Sequence, residues 1–152
     1  MSTKIYNAPA DLLGSETTQL GPTEWVLVDQ QRINQFADAT GDHQWIHVDE
    51  ARAATGAYGA TIAHGYLTLS MANYFLPQML RVENISMGVN YGAENLRFPA
   101  VVKVNSLVRG VGEIIKVDSA KGGIRAVVRI KIEVQGGERP ACVLDTISIY
   151  YP

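Results

Sequence analysis

Apolar and polar residues follow two different rhythms in this chain, and the rhythm changes near residue 84. Before that point apolar residues recur at helical spacing, and after it they alternate with polar residues as in β-strands. The second part divides into four candidate strands, at about residues 86–97, 101–117, 124–135 and 140–151. The third candidate alternates most regularly, which is typical of a strand with one buried face and one wet face.

Glycine-containing turns separate these strands. The runs Lys121-Gly122-Gly123 and Gly136-Gly137-Glu138 have the composition of hairpin turns, so we expect an antiparallel sheet. Gly110 and Gly112 interrupt the second strand, where we expect a bulge or a bend. A further short strand is predicted at residues 24–28.

Two short helices are predicted between residues 29 and 60. Asp29 is a candidate N-cap for a helix over residues 30–39, which Gly41 should end. Asp49 is a candidate N-cap for a second helix over about residues 50–54.

The longest apolar stretch runs from His64 to about Leu80 and predicts a long helix that is buried on most sides. Pro77 should kink or end this helix, because proline lacks the backbone N–H and clashes with the preceding turn. An antiparallel sheet with one apolar face can cover such a helix if it curves around it. The pattern therefore predicts one α+β domain over residues 1–152, with residues 1–22 as a loosely structured lead-in containing one short helix.

Composition narrows the class of protein. The formal charge of -2 and the pI of about 5.9 do not provide a broad basic face, so nucleic acid and anionic membranes are poor candidates as partners. No stretch approaches the roughly 20 apolar residues of a membrane span, and we expect a cytoplasmic protein. The single cysteine, Cys142, lies in an apolar run and should be a buried hydrophobe. Zinc-type cysteine and histidine spacing is absent from the sequence, so no metal site is expected.

The polar segment between the two short helices carries the chemistry. Asp42 and His47 are five positions apart, and His64 with Gly65 stands at the start of the long helix. Alone, Asp42 fits an ordinary turn, His47 a satisfied loop or core histidine, and His64-Gly65 a closely packed helix start. Together they supply a base, an acid and free backbone N–H donors, which a proton transfer beside a carbonyl requires. Partial burial would strengthen Asp42 as a base.

Residues 36–49, Phe-Ala-Asp-Ala-Thr-Gly-Asp-His-Gln-Trp-Ile-His-Val-Asp, are followed by Ile-Ala-His-Gly at residues 62–65. This pattern resembles the hydratase-2 motif of the MaoC-like (R)-specific enoyl-CoA hydratases. Arg97-Phe98 also resembles a segment of that family, and the similarity extends over about residues 24–150. The resemblance implies a hot-dog fold, in which a curved antiparallel sheet wraps around a long central helix.

By the same resemblance, Asp42 and His47 match the catalytic pair, and Gly65 matches a glycine whose N–H binds the developing oxyanion. The implied reaction is the reversible syn addition of water to a trans-2-enoyl-CoA, which gives the (R)-3-hydroxyacyl-CoA of fatty acid metabolism. Asp42 would deprotonate the water and His47 would assist proton delivery at C2. The thioester activates C3 by itself, so no cofactor or metal is expected.

Four further residues are candidate substrate contacts under this resemblance: Gln44, Trp45, His64 and Asn73. Many family members have Asn-Pro where this chain has Gln44-Trp45, and several have a serine near the pocket where this chain has Asn73. Asn73 fits equally well as a polar residue within the helix packing. His43 is expected to face solvent without a role.

Other activities fit the same fold. A dehydratase for 3-hydroxyacyl chains on a carrier protein would use the same site, and the sequence does not separate it from a CoA enzyme. A hot-dog thioesterase is disfavoured because the predicted helix over 64–80 has no carboxylate, the next acid being Glu83. A non-catalytic partner subunit would be expected to lack one of the catalytic residues. The resemblance also implies a homodimer, whose exposed sheet edges would be paired.

Overall fold

The computed structural model describes residues 2–152, which form five α-helices, one 3-10 helix and eight strands. The helices are α1 (Gln30–Thr40), α2 (Trp45–Val48), α3 (Glu50–Ala54), α4 (Gly65–Ser70) and α5 (Ala72–Met79), and the 3-10 helix is Pro9–Leu12. The strands are β1 (Lys4–Tyr6), β2 (Gln19–Leu20), β3 (Val26–Val28), β4 (Leu80–Val82), β5 (Met87–Arg97), β6 (Ser106–Ala120), β7 (Gly123–Val134) and β8 (Cys142–Tyr151).

The main sheet has six strands in the order β2-β6-β7-β8-β5, and β3 also pairs with β6. All of its pairings are antiparallel, as the hairpin turns predict. Gly122 and Gly136 have positive φ values of 78° and 79° in the two predicted turns. The sheet covers α4 and α5 with an apolar face, and the predicted α+β hot-dog architecture is confirmed.

Close packing of the sheet on α5 explains Gly110. A Cβ atom at this position would lie 2.7 Å from the Cβ of Phe75, which is fully buried. The expected bulge is found elsewhere, between Ile114 and Lys116 of β6. Glycine at position 110 thus allows α5 and the sheet to pack closely. The prediction of a bulge at Gly110 and Gly112 is wrong.

The central helix is divided. The chain leaves regular α-helix at Met71, although its backbone there remains near helical values (φ −67°, ψ −14°). Pro77 neither ends nor interrupts α5, which continues to Met79. The lost backbone N–H of Pro77 leaves the Asn73 carbonyl without its helical donor, but both residues are exposed, so water can satisfy that carbonyl.

Residues 1–22 were expected to be loosely structured, and the described part, 2–22, is instead built into the fold. β1 runs parallel to β4, which directly follows α5. Leu12 is fully buried and Leu20 nearly so, and both belong to the core. A second boundary is also corrected, since the predicted strand at 101–117 begins only at Ser106.

Across residues 2–152, no helix has the length and apolar character needed to cross a membrane.

Candidate active site

The loop after α1 brings Asp42 to the site. Asp29 caps the start of α1 by accepting a hydrogen bond from the Arg32 N–H at 2.9 Å, and Gly41 ends the helix with φ 83°. The Asp42 carboxylate then accepts a hydrogen bond from the Gln44 N–H at 3.3 Å, which turns the chain. Asp42 is exposed, so the partial burial that we expected for it is absent from the single chain.

His47 lies in α2, one short turn of helix, and its side chain is buried. Its Nδ1 lies 2.7 Å from the carbonyl oxygen of Ile62. A carbonyl only accepts hydrogen bonds, so Nδ1 carries the proton and Nε2 of the neutral ring keeps its lone pair. This arrangement leaves Nε2 as the nitrogen that can take up or return a proton.

Burial is also the main reason that the pKa of His47 lies below its ordinary value. The hydrogen bond to Ile62 and the charge of Asp42 act against this shift, whereas the nearby His64 adds to it. A lowered pKa keeps His47 neutral at physiological pH, the form in which Nε2 can act as a base.

His64 lies directly against this ring. The two imidazole rings are stacked with 3.9 Å between centroids and 21° between planes. The Nε2 of His64 donates a hydrogen bond to the backbone carbonyl of Asp42 at 2.9 Å. The ring of Phe36 also packs against His64, with 4.9 Å between centroids.

The chain before His64 is held by backbone hydrogen bonds. Ala63 N–H donates to the carbonyl of Val102 at 2.8 Å, and Val104 N–H donates to the carbonyl of Thr61 at 2.9 Å. Ile62 forms the matching antiparallel bridge with Lys103. Residues 102–104, which the sequence pattern places in the same strand as β6, therefore support the site instead. For this reason β6 begins only at Ser106.

Gln30 joins these two parts of the chain, and sequence reasoning missed it. Its side-chain nitrogen donates a hydrogen bond to the backbone carbonyl of His47 at 2.7 Å. Its side-chain oxygen accepts one from the hydroxyl of Thr61 at 2.6 Å. Thr61 and Gln30 are 31 positions apart, so no local spacing could have revealed the contact.

One nitrogen of His47, one nitrogen of His64 and one carboxylate oxygen of Asp42 lie within 4.8 Å of one another. These are ligand types that divalent metals such as zinc accept. The ring planes are nearly parallel, however, so an ion in the plane of one imidazole would lie out of the plane of the other. The arrangement suits a shared water or hydroxyl group better than a metal ion.

Gly65 begins α4, and its backbone is exposed. The first N–H groups of a helix have no partner within the helix, so Gly65 can donate to a ligand oxygen. A Cβ atom at Gly65 would lie 3.3 Å from the ring of Phe98. The ring of Phe98 thus lies beside this donor. Phe98 belongs to the Arg97-Phe98 pair noted in the sequence.

The other sequence candidates are more exposed than the two stacked imidazoles. Gln44 is exposed, and Trp45 packs its ring on the guanidinium of Arg52, 4.2 Å from the ring centroid. Asn73 is exposed on α5, beside a hollow that it shares with residues of β5 and β8. His43 is exposed, and its Nε2 lies at hydrogen-bonding distance, 3.0 Å, from the Asp38 carboxylate.

Cys142 is fully buried, as expected, and burial raises the pKa of its thiol to about 11. Since only the thiolate is a nucleophile, this side chain takes no part in the chemistry.

Comparison with known proteins places this geometry in a family. A profile described as the MaoC like domain matches residues 14–135. The chain belongs to the MaoC-like dehydratase family. It is 43% identical over 148 residues to 3-hydroxyacyl-thioester dehydratase Z of Mycobacterium tuberculosis H37Rv. The aligned residues cover 97% of this chain and 98% of that protein.

Solved structures agree on the fold. The (R)-hydratase from A. caviae involved in PHA biosynthesis has a TM-score of 0.73 at 23% identity, covering 90% of this chain and 96% of that chain. A chain of the C-terminally truncated HadBC (3R-hydroxyacyl-ACP dehydratase) complex from M. tuberculosis has a TM-score of 0.71 at 17% identity, covering 90% and 96%. Membership of this MaoC-like family makes the chain a hydro-lyase, a hydratase or dehydratase.

Proposed function

We propose that this protein interconverts (R)-3-hydroxyacyl thioesters and trans-2-enoyl thioesters by removing or adding water with syn geometry. The observation that carries the proposal is the cluster of the Asp42 carboxylate, the His47 imidazole with its free Nε2, and His64, which directly precedes the first N–H of α4. The carboxylate of Asp42 and one nitrogen of His47 lie within 4.8 Å of each other, which lets both contact one water molecule. The lowered pKa of His47 supports its part in proton transfer.

In the hydration direction, Asp42 and His47 hold the water. Asp42 takes a proton from it as the oxygen attacks C3, and the free Nε2 of His47 takes up this proton in turn and returns it to C2. The negative charge that develops on the thioester oxygen is stabilised by the N–H of Gly65. Dehydration follows the same steps in reverse. The conjugated thioester makes C3 electrophilic, so the proposal needs neither a metal nor a cofactor.

The dehydratase direction is the better supported one. The relative that matches over nearly the whole chain is named a 3-hydroxyacyl-thioester dehydratase. The name specifies a thioester rather than CoA, and the HadBC complex is named for acyl carrier protein. We therefore include a carrier-protein-bound 3-hydroxyacyl chain as a substrate beside the CoA thioester. Exposed Arg97 and Lys103 are candidate contacts for the phosphates of either carrier.

A second copy of the chain is the proposed partner. β5 is the edge strand of the main sheet, and all of its residues except Gly92 are exposed. Its exposed side chains include Met87 and Tyr91, and Tyr66 and Tyr74 on the helices are also exposed. An unpaired apolar edge of this kind is usually covered. Light scattering at several concentrations should give the mass of a dimer, and a monomer at all of them would overturn this part.

The test of the reaction offers four substrates: crotonyl-CoA, a longer trans-2-enoyl-CoA, the (R)-3-hydroxyacyl-CoA and the same acyl chain on acyl carrier protein. Absorbance of the conjugated thioester follows both directions, and chiral analysis identifies the hydroxy product. We expect Asp42→Asn and His47→Gln each to lower kcat/KM by about 10²- to 10⁴-fold. His43→Gln is the matched control, because His43 is an exposed imidazole on the same loop.

A higher kcat/KM with the carrier-protein substrate than with the CoA substrate would identify acyl carrier protein as the carrier of the acyl chain. Release of free thiol from the thioester would instead identify a thioesterase and overturn the proposal. Lack of turnover on all four substrates, with a folded protein, would point to a non-catalytic subunit.

A further inference from the structure

His64 differs from the other candidate substrate contacts in being almost completely buried. Its exposed fraction is 3%, whereas Gln44 and Asn73 are exposed. One ring nitrogen, Nε2, is already used by the carbonyl of Asp42 at 2.9 Å. The other, Nδ1, is buried, and among residues 2–152 it has no hydrogen-bond partner. A side chain in this position has little surface left for a substrate.

The hydrogen bond to Asp42 fixes the position of His64. Because the carbonyl can only accept, Nε2 carries a proton, and Nδ1 is the buried ring nitrogen that is left without a partner. Buried polar atoms without a hydrogen-bond partner are rare in native structures, because leaving such an atom unpaired disfavours folding. The ring is therefore held here for a purpose other than its own hydrogen bonding.

The two contacts of His64 reach the two halves of the catalytic pair. Its Nε2–H holds the backbone of Asp42, and its ring stacks on His47 at 3.9 Å. Asp42 and His47 are also joined through Gln44, whose N–H donates to the Asp42 carboxylate and whose carbonyl accepts from the His47 N–H. That link holds neither the Asp42 carbonyl nor the His47 ring plane, and His64 contacts both of these from a third part of the chain.

We propose that His64 is a positioning residue, which fixes the backbone of Asp42 through Nε2–H and the ring plane of His47 through stacking, and that it does not contact the substrate. The inference deepens the proposed function and relies on it for its kinetic readout. It replaces the expectation that His64 binds substrate.

The charged and titratable groups that act on His47 are few in the described chain. They are the carboxylate of Asp42 on the loop before α2 and the imidazole of His64 before α4, beside the neutral carbonyl of Ile62. Removal of His64 therefore removes one of the two influences that lower the pKa of His47, burial being the larger. The acidic limb of the pH profile should move to higher pH as a result.

Three variants separate the two contacts. His64→Phe keeps a flat ring for stacking but lacks the donor to Asp42, His64→Gln offers an amide donor without the ring, and His64→Ala removes both. We expect kcat to fall roughly 10- to 100-fold in the alanine and phenylalanine variants, because small displacements of reacting groups have effects of this size. The glutamine variant should recover part of the loss, and KM should stay within about twofold of wild type throughout.

Activity of His64→Phe equal to wild type, or a large rise in KM with kcat unchanged, would overturn the inference. His43→Gln serves again as the control, with kcat, KM and pH profile unchanged. Circular dichroism and thermal unfolding of each variant identify a folding defect.

An NMR titration of the His47 ring tests the same link without turnover. The pKa of His47 should rise when His64 is replaced, and an unchanged titration would count against the inference. If the wild type converts none of the four thioesters, the proposed function fails, while this titration still decides the role of His64.

Discussion

The two chain segments that meet at the stacked imidazoles are built in opposite ways. Residues 42–47 are exposed at Asp42, His43 and Gln44, and only His47 in this segment is buried. In residues 61–64 every residue is buried, and the backbone pairs with residues 102–104. The first segment presents the Asp42 carboxylate to solvent, and the second, residues 61–64, forms a buried wall against His47.

This difference indicates a division of labour within the site. A carboxylate that must meet a substrate needs access, and a loop provides it. An imidazole that must keep one tautomer and one orientation needs fixed neighbours, and the buried segment supplies the Ile62 carbonyl and the His64 ring. Perturbing the wall should therefore affect activity and stability together, whereas perturbing the exposed loop outside Asp42 should affect little.

Outside the catalytic pair, the largest effect is expected directly after the buried segment, from Gly65→Ala. The new methyl group would lie 3.3 Å from the Phe98 ring. Under the proposed function it would also obstruct the approach of the thioester oxygen to the N–H of residue 65. We expect kcat/KM to fall about 10²-fold, the size associated with loss of one oxyanion donor. The double variant with Phe98→Leu should regain packing but not activity, and recovery of activity would show that crowding of Phe98 alone was responsible.

A smaller effect, on stability, is expected from Thr61→Val. The change removes the hydroxyl that donates to the Gln30 side chain and leaves a partly buried acceptor unsatisfied. The free energy of unfolding should fall by about 1–3 kcal/mol, measured by urea denaturation. Thr55→Val is the matched control, because the Thr55 hydroxyl bonds a carbonyl at an exposed position. Equal losses in both variants would contradict the special status of the wall.

The pH dependence of stability should separate the two histidines of residues 42–47. Burial chiefly lowers the pKa of His47, so the unfolded chain binds its proton first and stability falls as pH drops below about 6.5. The hydrogen bond to Asp38 chiefly raises the pKa of His43, so its contribution is present at low pH and is lost as pH rises. In urea unfolding between pH 5 and 8, His47→Gln should flatten the acid loss of stability and His43→Gln should steepen it. The same slope in both variants would show that their surroundings do not differ.

The smallest effect is expected from Gln44→Ala in the exposed loop. The Asp42 carboxylate bonds the backbone N–H of residue 44, which the substitution retains. Both kcat and KM should stay within about twofold of wild type in the thioester assay. A tenfold rise in KM would instead make Gln44 a substrate contact, as the sequence had suggested.

The strands and caps could be predicted because their signals are local. The alternation in β7, the glycine turns and the aspartate caps of α1 and α3 all depend on residues within a few positions of one another. The family motif likewise identified Asp42, His47 and His64, and the structure brings these three together.

The errors come from contacts between distant residues. Residues 102–104 pair with residues 61–63, so they are not the start of the strand predicted at 101–117. The hydrogen bond between Gln30 and Thr61 was also not predicted. The glycine at position 110 suggested a bulge. It is needed because a Cβ atom there would collide with the side chain of Phe75, which lies on another element. The exposure of Asp42 also depends on what surrounds it in three dimensions, which a spacing does not specify.

The fully buried Cys142 has a practical consequence for all of these measurements. It is the one cysteine of the sequence, it sits in β8 opposite Ile132 of β7, and its thiol has a pKa of about 11. A thiol reagent can therefore react only with molecules in which β8 has separated from the sheet. The labelling rate, compared with that of a free thiol, gives the fraction of opened molecules under native conditions. The chain thus carries its own reporter of unfolding, which can rank the variants above without denaturant.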